Sequence, residues 1–399
     1  MRFLEINSFF TVGGPPRIVN GIYDTLIEEG HECKIAAARE KVYVQQHSIR
    51  IGSNLDIKIN ALKARILDNE GFSAKGATKK LIKEIEAYNP DVVHLHNLHG
   101  YYINLEILFN YLKKRGGAVV WTLHDCWAFT GHCAYFDYAQ CEQWRTGCKR
   151  CRHKRSYPSS YLFNRAKYNF QRKKAIFSML DNMTIVTPSR WLKDLVKESF
   201  LGKYCVKVIP NGVDLKVFKP KDIARGAVEE KREKKIILGV AQVWDQRKGL
   251  KYFLELNEIM PKTWKIVLVG LSGQQLKSLP TSMTGLGKTK SVEELVELYN
   301  MADVFVNPTL EDNYPTTNIE AVACGTPVVT FSTGGSPETL LEGMGYVAKE
   351  KTAEALLEKI QEVFLNEALE SHFSEKGYLF DKRCCYQKYI DLFKELTHG

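Results

Sequence analysis

The stretch EDNYPTTNIEAVACGTPVV, residues 311–329, sets two carboxylates, Asp312 and Glu320, eight positions apart. Between them lie a proline, three hydroxyl side chains and two asparagines. A short apolar turn, a Cys-Gly break and a β-branched run follow. The run DVFVNPT at 303–309 precedes it and reads as a strand, and TPVVTF after it as another. The pattern predicts a helix starting near Asn318, with Glu320 in its first turn. A polar loop between a strand and a helix, holding free backbone N–H groups, favours an anion such as a phosphate. A carboxylate with two acceptor oxygens suits a vicinal diol such as a ribose. From spacing alone, Asp312 capping a turn and Glu320 favouring the helix dipole remains open as the alternative.

Working outward, strands and helices alternate along the chain. In the first half the strands are residues 1–8, 31–38 (HECKIAAA), 91–97 (DVVHLHN), 118–125 (AVVWTLHD) and 183–189 (MTIVTPS). RIVNGIYDTLIEEG reads as a helix that stops at Gly30, and further helices fall near 78–88, 103–114 and at SRWLKDLVKESF. KKIILGVAQ and WKIVLVG open a second series, with helices near 248–260, 291–300, 318–324 and 352–366. SVEE at 291 has the spacing of a capping box, Ser291 to Glu294. Such alternation implies parallel sheets covered on both faces. The break falls near 210–235, where the chain is first turn-rich and then highly charged, with a hinge near Pro210. The fold class expected is α/β: two doubly wound, Rossmann-like domains in tandem, 1–210 and 211–377, facing across a cleft. Ligands of open parallel sheets bind beyond the carboxyl ends of the strands.

The chain has 399 residues, 44% apolar and 26% charged, which suits two globular domains. MRFLEINSFF reads as a first strand and not as a signal peptide. No stretch approaches the roughly 18 apolar residues that span a bilayer. The expected place is cytoplasmic, with membrane contact peripheral. The net charge of +10 suits nucleotides or an anionic membrane surface, and does not demand nucleic acid. Ten cysteines without an export signal do not suggest a disulfide framework.

PTLEDNYPTTNIEAVACGTPVVTFSTGGSPE closely resembles the signature of the retaining glycosyltransferases of family 4, which have the GT-B fold. In that family an acidic residue is followed, after seven others, by Glu. Asp312 fills the first place, where Glu is usual, and Glu320 the second. The resemblance implies that Glu320 holds the nucleotide ribose and that Asp312 lies against the donor sugar. The loop between them, with Asn313, Tyr314, Pro315 and Thr316, would offer N–H groups to sugar and diphosphate. GGPPRIV resembles the family's N-terminal glycine loop, where Gly13 and Gly14 let backbone approach the ligand. TLHD resembles the segment whose histidine, here His124, stands by the donor sugar. TPSRWL and IPNGVD resemble its domain junction. GVAQVWDQRKGL resembles the segment whose Arg and Lys neutralise the departing diphosphate. Lys248 fits that Lys. Gln242 lies near the usual place of the Arg, and Arg247 is the substitute this sequence offers. SVEELVELYNMADVFVNPT is similar to the family as well. GYLFDKRCCYQKYIDLFKEL resembles the terminal helix, residues 378–399, that packs back onto the first domain.

The resemblance implies a nucleotide-sugar donor (UDP- or GDP-sugar) and a glycan or lipid-linked acceptor. It also implies retention at the anomeric carbon, and a role in cell-surface polysaccharide biosynthesis. No cofactor is expected for catalysis, since N–H groups, a helix N-terminus and Lys248 can stabilise the leaving diphosphate. No Asp-X-Asp motif follows a strand in either half. Another GT-B enzyme, such as a sugar-nucleotide epimerase or phosphorylase, is the alternative enzyme. A non-catalytic basic binder is a third reading, for which CKRCRHKR at 148–155 is the one good cluster. That cluster suits an anionic lipid surface equally well.

The window from His124 to Arg155 holds Cys133, Cys141, Cys148 and Cys151, with one Cys-x-x-Cys pair. Four thiolates can form a closed tetrahedral zinc site, and a structural zinc is weighed here against reduced, packed cysteines. Gly131 and His132 are candidates to line the acceptor pocket. His94, His96 and His99 sit near a strand end, read as hydrogen-bonded histidines with a metal triad as the alternative.

Overall fold

The computed structural model describes residues 1–11, 13–39, 47–221, 234–366, 369 and 376–398. The chain divides into two compact units, Met1–Pro210 with Tyr386–Gly399, and Asn211–Cys385. Part of the charged segment, residues 222–233, lies outside the described residues.

The first unit is a parallel sheet of seven strands: β1 (Arg2–Phe9), β2 (Glu32–Arg39), β3 (Ser48–Arg50), β4 (Val92–Leu95), β5 (Ala118–Thr122), β6 (Met183–Thr187) and β7 (Cys205–Val208). Their order is β3-β2-β1-β4-β5-β6-β7. β1, β4, β5 and β6 are buried almost throughout, as a sheet covered on both faces requires. Helix Gly14–Glu28 starts at glycine and proline, three residues before the apolar pattern suggested. Pro15 and Pro16 supply a φ suited to a first turn and lack N–H groups that would have no partner there. Helix Asn54–Leu67, which the sequence did not announce, is opened by a reciprocal capping box between Ser53 and Asp56.

The second unit is a parallel sheet of six strands: β8 (Lys235–Val240), β9 (Trp264–Val269), β10 (Thr284–Leu286), β11 (Val304–Asn307), β12 (Val328–Phe331) and β13 (Gly345–Ala348). Their order is β10-β9-β8-β11-β12-β13. The expected capping box at Ser291 is only half formed. Ser291 accepts from Glu294 N–H at 3.3 Å, but the Glu294 carboxylate turns to Lys290 N–H at 2.6 Å.

The last helix runs Lys382–His398, after a 3-10 turn at Gly377–Phe380, so it begins later than the expected residue 378. From Tyr386 onward it belongs to the first unit. A Cβ on Gly21 would lie 2.1 Å from the Tyr386 ring, so the bare glycine lets the helix seat closely. Phe393 is fully buried, with its ring 5.3 Å from those of Phe3 and His94. Phe393→Ala should therefore cost about 3–5 kcal/mol of stability in the first unit, read as an earlier unfolding transition in denaturant.

Candidate active site

In the second unit, β11 ends at Asn307 and the chain turns through Pro308–Pro315 into the helix Thr316–Ala323. The helix begins two residues before the expected Asn318, so Glu320 lies in its second turn. It is buried, at 2% exposure, and one oxygen accepts from Tyr299 OH at 3.0 Å. Pro315 is the N-cap and no side chain caps the helix. Asn318 N–H donates to the Pro315 carbonyl at 3.2 Å, and the N–H groups of Thr316 and Thr317 are left to a ligand or water.

A buried polar network fixes this helix against the strand ends. Asn318 accepts from Asn307 at 2.7 Å and donates to Ser336 Oγ at 3.2 Å and Thr339 Oγ1 at 2.9 Å. Thr330 joins Ser336 at 2.7 Å, and Thr333 donates to the Thr309 carbonyl at 2.6 Å. Each of these groups is buried, so each needs a partner, and together they set one geometry.

The cationic segment docks on the same loop. Leu310 N–H donates to the Arg247 carbonyl at 2.7 Å, and Arg247 Nη1 donates to the Glu311 carbonyl at 2.6 Å. Lys248 Nζ lies 2.5 Å from Asp312 Oδ2, and Arg247 Nη1 lies 3.9 Å from that oxygen. Burial alone would raise the Asp312 pKa, but Lys248 and Arg247 outweigh it and hold the carboxyl below its ordinary value. Gly249 and Gly334 make the approach possible. Both have positive φ (76° and 55°), and a Cβ would fall 2.1 Å from the carbonyl oxygens of Pro308 and Asp312 respectively. Asn313 N–H turns to Asp312 Oδ1 at 3.0 Å, and Tyr314 is buried, its carbonyl accepting from Asn211. The structure thus brings Arg247, Lys248, Asp312 and the 313–316 loop together. Gln242 is exposed.

In the first unit, His124 follows β5. Parallel register sets Glu5 beside His94 and His94 beside Val120. Side chains alternate along a strand, so Glu5, His94, His96, Thr122 and His124 fall on one face. Glu5 is fully buried and meets His94 Nδ1 at 2.8 Å and His96 Nε2 at 2.7 Å. A carboxylate only accepts, so both imidazoles turn an N–H towards it. His96 Nδ1 then accepts from His124 Nε2–H at 2.9 Å, which leaves the His124 lone pair on Nδ1. His94 Nε2 meets Thr122 Oγ1 at 2.8 Å. Burial would raise the Glu5 pKa, but His94 and His96 hold it down at about 2. Burial, then His94, press His96 down to about 4 against the pull of Glu5. Burial, then His96, His94 and His99, keep His124 well below the ordinary histidine range.

His99 does not join this group. It bridges Asp125 Oδ2 and Tyr157 OH, each at 2.8 Å, so the three histidines form no triad. Among the described residues, Glu5, His94 and His96 are the trio of potential metal ligands whose atoms lie within 4.8 Å of one another. Their contacts are those of a hydrogen-bonded network. Gly13 caps the first helix with φ 110°, a conformation suited to glycine, whereas Gly14 faces open space. Sequence reasoning missed Glu5, Tyr299 and the asparagine–hydroxyl network. The His-x-His alternation in β4 was the one available signal for the buried face.

The comparisons agree with this architecture. The model described as Glycosyltransferase Family 4 matches residues 12–217, more than half of the chain, and that described as Glycosyl transferases group 1 matches 221–380. The chain belongs to glycosyltransferase family 4 and is a glycosyltransferase. A putative colanic acid biosynthesis glycosyl transferase, WcaC, of Escherichia coli K12 is 23% identical over 99% of this chain and all of its own. Two solved structures share the GT-B fold. Sucrose-phosphate synthase from Thermosynechococcus elongatus has a TM-score of 0.71 at 18% identity, covering 99% of this chain and 98% of its own. Anabaena Alr3699/HepE in complex with UDP has a TM-score of 0.69 at 14% identity, covering 99% and 100%.

The Glu5–histidine network makes stability depend on pH. His96, lowered from 6.5 to about 4, leaves the folded chain with fewer bound protons than the unfolded chain across that interval. Its contribution is complete above pH 6.5 and is lost as pH falls to about 4. The Glu5 contribution is complete above pH 4.5 and is lost as pH falls towards 2. The urea midpoint of the first unit should fall progressively below pH 6.5, and His96→Gln should flatten that fall.

Proposed function

We propose that the chain transfers a sugar from a UDP- or GDP-sugar to a glycan or lipid-linked acceptor, with retention, in cell-surface polysaccharide biosynthesis. The observation that carries this reading is the Arg247–Lys248–Asp312 cluster beside the uncapped start of helix Thr316–Ala323. Cations and aligned N–H groups at one strand edge suit a diphosphate, whose charge grows as the sugar departs. Lys248 stabilises the leaving diphosphate, with Arg247 supporting it. Asp312 faces the donor sugar, and it keeps Lys248 placed. Glu320, held by Tyr299, accepts from the ribose. Asn313, Tyr314, Pro315 and Thr316 line the donor through their backbone. The second unit is the donor domain. The first is the acceptor-side domain, with Gly13 and Gly14 at its glycine turn. His124 offers Nδ1 as a fixed acceptor for a sugar hydroxyl. Catalysis needs no metal, so added Mg²⁺ or Mn²⁺ leaves the rate unchanged. The similarity to an enzyme of colanic acid biosynthesis supports the polysaccharide role, and a UDP-bound structural relative supports the donor class.

Nucleotide release from a panel of UDP-, GDP- and ADP-sugars tests the reading. One donor should turn over slowly in wild type. Lys248→Ala should lower kcat about 10²–10³-fold, and Glu320→Ala should weaken donor binding by about 1–3 kcal/mol. No binding of any donor would sink the proposal.

We also infer a cytoplasmic protein that rests on the inner face of the membrane. Leu55, Ile59 and Leu62 line one exposed face of helix Asn54–Leu67. The exposed run Tyr161–Leu162–Phe163 joins that helix, Tyr161 N–H donating to the Arg65 carbonyl and Phe163 N–H to that of Ile66. The basic run is tied to the same place, for Lys154 Nζ donates to the carbonyls of Tyr161 and Leu162 at 3.1 and 3.0 Å. Lys149, Arg150 and Arg152 are exposed beside it. Apolar side chains ringed by lysine and arginine match an anionic interface. Co-sedimentation with phosphatidylglycerol vesicles should fall with salt and be lost when Lys149, Arg150 and Arg152 are neutralised. Leu162→Asp should weaken it at every salt concentration.

A further inference from the structure

Four cysteines between β5 and the helix Ala166–Phe177 have no part in sugar transfer. Although they lie at 133, 141, 148 and 151, they share one locus. Cys151, Cys148 and Cys141 each lie near enough to act on Cys133 electrostatically. Backbone donors point at the sulfurs. Gly131 N–H reaches Cys148 Sγ at 3.2 Å, and His153 N–H donates to Cys151. Gly131 is required for that approach, because a Cβ there would lie 2.1 Å from the Ala166 carbonyl and 2.8 Å from Cys148 Cβ. N–H groups aimed at sulfur favour the thiolate.

A second observation stands apart from the cysteines. Lys173 is 1% exposed. Its ammonium donates to the carbonyls of Trp127 (2.8 Å) and Thr130 (3.2 Å) and lies 3.3 Å from the centre of the Trp127 ring. Among the described residues no carboxylate forms an ion pair with it. The anion-forming groups that act on it are first Cys148 and Cys133, then Glu70 and Asp125. A buried amine of this kind is stabilised as the ammonium by negative charge nearby, which metal-bound sulfurs would supply.

His132 adds a third. It is buried, and its Nδ1 meets Asp68 Oδ1 at 2.6 Å, while Asp68 Oδ2 accepts from Arg165 N–H at 2.5 Å. Its Nε2 is buried and has no partner among the described residues, and Cys151 is the thiol that acts on the ring.

We propose that Cys133, Cys141, Cys148 and Cys151 bind one zinc ion as a closed tetrathiolate, with the Lys173 ammonium and the His132 ring facing its sulfurs. Four S–H protons leave to solvent and four Zn–S bonds form, so the cluster carries two negative charges. Lys173 balances one of them. His132, its Nδ1 held by Asp68, turns Nε2–H to Cys151 and donates a hydrogen bond to that sulfur. Zn–S bonds of about 2.3 Å place tetrahedral sulfurs about 3.8 Å apart, and no three of these thiols lie mutually within 4.8 Å here, so binding draws them together. The site is structural, since four protein ligands leave no open position.

The test uses the full chain, purified under reducing conditions, supplied with zinc and freed of excess by gel filtration. Elemental analysis should give one zinc per chain, released as a mercurial titrates four thiols. Cobalt exchange should give thiolate-to-metal charge-transfer bands of a tetrahedral site. A chain that retains no zinc and shows freely reacting thiols overturns the proposal. Cys148→Ser with Cys151→Ser should abolish retention, though that variant can also unfold. Lys173→Met avoids this difficulty, and should release zinc to a chelator about 10-fold faster while keeping its fold. Unchanged release overturns the counter-charge role. If Cys141→Ser keeps full zinc while His132→Gln loses it, the tetrathiolate ligand set is wrong.

Discussion

Parallel pairing is the constraint on which the rest depends. Every strand pair in both sheets is parallel. Each connection must then carry the chain back to the opposite edge, and all carboxyl ends within a sheet collect on one side. Backbone groups beyond those ends have no further strand to bond to. In the second unit Thr330 and Thr333 donate to the carbonyls of Asn307 and Thr309, while Asn318, Ser336 and Thr339 bind the exits of β11 and β12 into a single polar layer. The same layer fixes the start of helix Thr316–Ala323. The loop that carries Asp312 is thus as well determined as a piece of regular structure.

Buried charge is handled in three different ways. Glu5 is matched by two imidazoles, so its ionised form is favoured inside the sheet. Asp312 is matched by Lys248 and Arg247 and keeps 18% of its side chain exposed. It therefore tethers Lys248 and Arg247 where a competing anion can displace it. Lys173 has carbonyls and a ring but no carboxylate partner among the described residues. The first is a fixed structural pair, the second sits where a ligand can reach, and the third is left incomplete by the protein groups alone.

Much of the architecture was legible because parallel sheets write themselves as short β-branched runs separated by amphipathic segments. The carboxylate spacing 312–320 and the Arg247–Lys248 pair could be found in one dimension. Other features could not. Glu5 and His96 are 91 positions apart and meet only through strand register. Tyr299 looks like an ordinary apolar-face residue until its hydroxyl is seen to reach Glu320. The start of helix Thr316–Ala323 was misplaced because Pro315 takes the N-cap position, which carries no side-chain oxygen signal. At Ser291 the motif was present, but Lys290 N–H captured the carboxylate that a reciprocal cap would have used.

The membership of Tyr386–His398 in the first unit bears on how the protein is made. β1 leaves the ribosome well before the helix that covers Phe3 and His94. The first sheet can assemble early, but its face against Tyr389 and Phe393 stays wet until that helix is made. The second unit has no such wait, since all of its strands and its covering helices precede that helix. Folding order is therefore inverted with respect to synthesis. A chain that stops before Tyr386 would present a finished second unit and a first unit with an open apolar flank, which is the kind of surface that chaperones and proteases recognise.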